Sequence, residues 1–83
     1  MISTIYHVEV EIPDVIMDNK YKFLNEYDQD ISKAIRGFGA AGTDEYGQFE
    51  WAEFCDLADA QRCEKSLLAV VAKYEARLRE EGL

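Results

Sequence analysis

The sequence predicts an α+β domain with the element order strand, helix, strand, strand, helix. Three observations carry that expectation. One stretch alternates with the two-residue period of a half-buried strand, two longer stretches place apolar residues at helical spacing, and an Asp-Glu-Tyr-Gly turn separates two short segments between them. At 83 residues the chain holds one domain, 1–83, with a thin core.

Tyr6, Val8, Val10 and Ile12 alternate with His7, Glu9 and Glu11, which makes 6–12 a strand with one wet face. Pro13 ends it. Over 16–37, Ile16, Phe23, Leu24, Tyr27, Ile31, Ala34, Ile35 and Phe38 trace one helical stripe, interrupted only by Lys20, and Gly37 and Gly39 stop the helix. A short strand follows over 38–43, weakened by Gly39 and Gly42, and Asp44-Glu45-Tyr46-Gly47 is a hairpin connection.

The next strand, 48–55, has apolar bulk on both parities. Phe49, Trp51, Glu53 and Cys55 fall on one side, and Glu50, Ala52 and Phe54 on the other, so its facing stays open. Size alone favours a core position for Trp51. If Ala52 and Phe54 instead face the helices, Trp51 and Phe49 emerge together on the open face. Asp56 then caps a second helix, with Asp59 in its first turn and a stripe of Ala60, Cys63, Leu67, Val70, Val71, Tyr74 and Leu78. Glu75 and Arg79 make a favourable i,i+4 pair on its wet side.

The short hairpin makes the second and third strands antiparallel neighbours, and the first helix acts as a crossover that brings the third strand beside the first. This β-α-β-β-α order is similar to the ferredoxin-like topology without its last strand: an antiparallel three-stranded sheet with two helices on one face. The likeness is one of topology, and no motif accompanies it.

Charge is distributed unevenly. The net charge is −8, with −4 over residues 1–18, −6 over 44–59, and +1 in each of the helical stretches 19–43 and 60–83. Acids gathered on an open sheet face project a field that draws basic surfaces and repels nucleic acid. Direct nucleic-acid binding is therefore not expected, although aromatics on such a sheet would otherwise suggest an RNA platform. Carboxylates at i and i+2 of a strand repeat about every 6.7 Å, against roughly 3.4 Å per phosphate along a DNA strand. An acidic face of this kind fits some phosphate positions of a basic groove.

Other chemistry has less support. Gly37-Phe38-Gly39-Ala40-Ala41-Gly42 spells G-x-G-x-x-G, but with the helix before it and a strand after it, the reverse of a dinucleotide loop. His7 beside Glu9 and Glu11 is short of a metal-ligand set, and Asp28 with Asp30 lacks the rest of a calcium loop. No cofactor is expected. One histidine and no nucleophile in a recognisable context argue against an enzyme. Cys55 and Cys63 are expected reduced, in or near the core. With no basic, apolar leader and no long apolar run, the expected location is cytoplasmic, with no membrane partner.

The functional expectation is a non-catalytic inhibitor or adaptor that docks on a basic, nucleic-acid-binding protein surface. Its expected contacts are Glu9, Glu11, Glu50 and Glu53, with Trp51 as an aromatic anchor and Asp44, Glu45 and Asp56 on the rim. In size and charge the chain resembles small acidic phage proteins of the anti-CRISPR or anti-restriction kind, which implies nucleic-acid mimicry. The alternative is a ferredoxin-like homodimeric subunit whose open sheet pairs with a second copy and serves a small-molecule or structural role.

Overall fold

A computed structural model describes residues 4–35 and 40–83. The elements run β1 (Tyr6–Glu11), α1 (Asp14–Asn19), a 3₁₀ turn (Lys20–Lys22), α2 (Glu26–Ile35), β2 (Ala41–Thr43), β3 (Phe49–Phe54) and α3 (Leu57–Glu80). The class is α+β, as expected. Three helices stand where two were expected.

The difference lies in the first helical stretch. Asn19 closes α1 by donating its side-chain amide to the Val15 carbonyl at 2.7 Å. A 3₁₀ turn follows, and Leu24 turns the chain with a φ of 52° before α2 begins. The single stripe is thereby split. Ile16, Phe23, Tyr27, Ile31 and Ala34 still reach the core, whereas Leu24 is 83% exposed. Lys20, the polar interruption, holds its ammonium over the Tyr27 ring at 4.9 Å. The expected stop at Gly37 and Gly39, and the first residues of the expected 38–43 strand, lie outside the described residues.

The sheet order is β1-β3-β2, and both pairings are antiparallel. In the register, Glu9 faces Trp51 on β1–β3, and Trp51 faces Gly42 on β3–β2. Asp44 shapes the hairpin by accepting the Gln48 and Phe49 amides on Oδ1 at 2.6 and 2.8 Å, and Gly47 adopts the left-handed φ of 69° that the turn requires.

Helix α3 covers the sheet. Its cap forms as the sequence predicts, with Asp56 Oδ1 accepting the Asp59 amide at 3.2 Å. Ala60, Cys63, Leu67, Val71, Tyr74 and Leu78 are buried against Val8, Val10, Ala52 and Phe54 in one core cluster, and Val70 is partly buried beside it. Helix α2 packs along α3 and is fastened there by polar contacts. Tyr74 Oη donates to Asp30 at 2.6 Å, Arg77 reaches Glu26 at 2.7 Å, and Lys73 reaches Asp30 at 3.1 Å. The Tyr74 hydroxyl and the Lys73 ammonium hold the Asp30 carboxyl below its ordinary range, and Arg77 does the same for Glu26. No helix among the described residues is long and apolar enough to cross a membrane.

Candidate protein-binding face

The parity of β3 decides what the open face carries. Ala52 and Phe54 point into the helix layer and are buried, so Phe49, Trp51 and Glu53 point the other way, beside His7, Glu9 and Glu11 of β1. Trp51 is therefore half-buried on the open face and not in the core, where size alone would put it. Two local features explain how the sheet supports it. Small Ala52 lets α3 approach the strand from the covered side, and Gly42 leaves space for the indole on the open side. A Cβ at Gly42 would come within 3.3 Å of the ring. The tryptophan thus lies across β2 on a residue with no side chain, the packing by which an aromatic offsets a glycine within a sheet.

His7 completes the face. Its ring stacks on Trp51 with centroids 6.3 Å apart and 15° between the planes. Nε2 lies 3.1 Å from a Glu9 oxygen, and Nδ1 lies 4.0 Å from Glu53. Glu9, Glu11 and Glu53 otherwise stand without a cation. Among the described residues no lysine or arginine pairs with them. The ion pairs Lys22–Glu81, Arg62–Asp59, Lys73–Asp30, Arg77–Glu26 and Arg79–Glu75 all lie among the helices. An open cleft lined by Ile5, Ala40, Glu53, Phe54 and Cys55 borders the face, which places Cys55 at the surface while Cys63 is buried.

Several expected contacts fall elsewhere. Glu50 is 3% exposed, on the helix-covered side of β3, and accepts the Thr43 hydroxyl at 3.0 Å. Because residue parity alternates strictly along a strand, it cannot share a face with Glu53. Burial pushes its carboxyl up, with the Thr43 hydrogen bond and the Lys20 charge opposing. The neighbouring Tyr27 hydroxyl is buried without a hydrogen-bond partner, and burial together with the Glu50 charge pushes its pKa well above the ordinary phenol range. Asp44 and Asp56 are occupied as the hairpin and helix caps, Glu45 is exposed at the hairpin tip, and Asp14 lies in α1. The acidic surface is accordingly narrower than the segment charges imply: Glu9, Glu11 and Glu53 around Trp51, with Glu45 at the rim.

His7 and Gly42 belong to the face, yet neither was singled out as a contact. The alternation of β1 already puts His7 with Glu9, so that signal was present in the sequence. Gly42 needs the β2–β3 register, which no local pattern supplies. Among the described residues no group of three His, Cys, Asp or Glu side chains is arranged to hold a metal ion. Comparison with known proteins gave no matching family model, no matching curated protein and no matching solved structure.

Proposed function

We propose that this protein is a non-catalytic inhibitor or adaptor that docks its open sheet face on a basic protein surface, one that otherwise binds nucleic acid. The observation that carries this reading is the contrast in pairing. Among the described residues every ion pair to lysine or arginine lies among the helices, where Asp14, Asp18, Asp28, Glu64 and Glu80 also go unpaired, and no lysine or arginine reaches Glu9, Glu11 and Glu53 around the half-exposed tryptophan. Unpaired like charges on one small face cost stability, and a basic partner would turn that cost into attraction. Trp51, seated on Gly42 and stacked with His7, supplies a rigid aromatic anchor of the type that dominates binding energies.

A basic groove built for phosphates would accept these carboxylates in their place, as in the small acidic phage inhibitors that this chain resembles in size and charge. The sheet order β1-β3-β2 under a helix layer favours reading the architecture as ferredoxin-like without its fourth strand. A face-to-face homodimer has less support, because it would set two such acidic faces against each other.

The test is capture of partners on immobilised protein from a nuclease-treated lysate at low and high salt, with duplex DNA as competitor. The expected result is retention of nucleic-acid-binding proteins at low salt, their release by DNA, and their loss with the double variant Glu9→Lys/Glu11→Lys. Retention of the same proteins by that folded variant would contradict the reading.

A further inference from the structure

The ladder geometry points to the free edge of β1 as well as to the face beside it. The Ile12 amide donates to the Gln48 carbonyl at 2.7 Å, so the even-numbered residues of this strand bond toward β3. The backbone amides and carbonyls of His7, Glu9 and Glu11 therefore point outward, and among the described residues only β3 pairs with β1. An open edge of six residues is a template for a further strand.

The two sides of that edge differ in chemistry. On the open side stand Glu9 and Glu11. On the covered side, α3 turns a flank outward that α2 does not reach. Arg77 and Lys73 bind α2, and Leu68 lies about 180° round the helix from Arg77. Leu57 falls on the same flank as Leu68, roughly 16 Å away along the axis. These two are 50% and 52% exposed. The flank is mixed, with Gln61 and Glu64 between the two leucines and Glu75 beyond them. A strand added beside β1 would have the carboxylates of Glu9 and Glu11 next to one of its faces.

We propose that the β1 edge binds an extended segment of its partner with a basic residue at every second position, added antiparallel to β1 as a fourth strand. This rests on the basic-partner reading above and specifies how the partner is held. Lysines or arginines of the segment lie beside Glu9 and Glu11. A second copy of this chain is a poorer occupant. Pairing about a two-fold axis through Glu9 or Val10 would set carboxylates directly opposite, which destabilises a ladder, and the one register that sets His7 opposite Glu9, centred on Val8, is the one the sedimentation measurement below tests.

The probe is an acetylated, amidated Lys-Val-Lys-Val-Lys-Val-Lys peptide, with two versions of equal charge, one N-methylated on the lysine amides and one on the valine amides. In an antiparallel addition the lysine amides bond to β1 and the valine amides point away. The parent and the valine-methylated peptides should bind and slow amide exchange at His7, Glu9 and Glu11. The lysine-methylated peptide should bind at least about tenfold more weakly. Equal binding by all three without protection of those amides would overturn strand addition while leaving electrostatic docking in place. No binding by any of them at low salt would overturn both. A free protein that sediments as a dimer with these amides already protected would give the edge to a second copy and overturn the proposal.

Discussion

Burial pushes the pKa of Glu50 up, and this links one residue to the pH dependence of the whole fold. Because its folded-state value lies above the unfolded one, its contribution to stability is fully present below the unfolded value and is lost as pH rises through the folded value. Glu50→Gln keeps an acceptor for the Thr43 hydroxyl and removes the buried charge. The variant should be more stable than the parent at pH 7 by on the order of 1 kcal/mol, with the gap closing toward pH 3, as read by urea denaturation at both pH values. Glu26 and Asp30 act with the opposite sign. Arg77 holds the pKa of Glu26 down and Tyr74 that of Asp30, so what they contribute is present at neutral pH and lost as pH falls. Leu24 is the other residue held against its preference, left-handed and 83% exposed. Leu24→Gly should remove that strain with little loss of packing, raising stability by about 0.5–1 kcal/mol in thermal melts. An unchanged or lower melting temperature would show that the Leu24 side chain contributes packing that offsets its backbone strain.

Among the elements, α3 was the most legible. Its cap, its stripe and the Glu75–Arg79 pair, 3.7 Å apart in the structure, all follow from local spacing. β1 was legible for the same reason, since one strict alternation specifies one buried face. The break between α1 and α2 was not. No glycine or proline lies between Asp14 and Ile35, and the stripe keeps helical spacing straight through the turn at Leu24. The facing of β3 was ambiguous because both of its parities carry an aromatic, and only contact with α3 selects Ala52 and Phe54. That selection buried Glu50 and exposed Trp51, so one undecided parity accounts both for the misplaced contact at Glu50 and for the core position that size alone favours for Trp51. At this scale the acids separate by role. Asp56→Ala removes the α3 cap and should cost about 1 kcal/mol in urea denaturation while partner capture is unchanged. Loss of capture at full stability would instead put Asp56 in the interface.

For the molecule as a whole, the segment charges indicated the right region and overstated its size. Much of the negative charge counted with the strands is taken up in caps, in α1 or beneath the sheet. What remains is a compact group of three carboxylates around one tryptophan, on the side of the sheet away from every ion pair to lysine or arginine in the described residues. Attraction of a basic partner to such a group is long-ranged at low ionic strength and screened beyond about 8 Å at physiological salt. Binding should therefore weaken as salt rises, while the aromatic contacts set the residual affinity. The most direct measurement is hydrogen exchange by mass spectrometry on the protein, free and bound to a basic partner it captures. Slowed exchange confined to peptides covering 6–11 and 49–54, with α2 unchanged, is the predicted footprint. Protection centred on α2 and the exposed flank of α3 beside it, with the strands unchanged, would contradict the account.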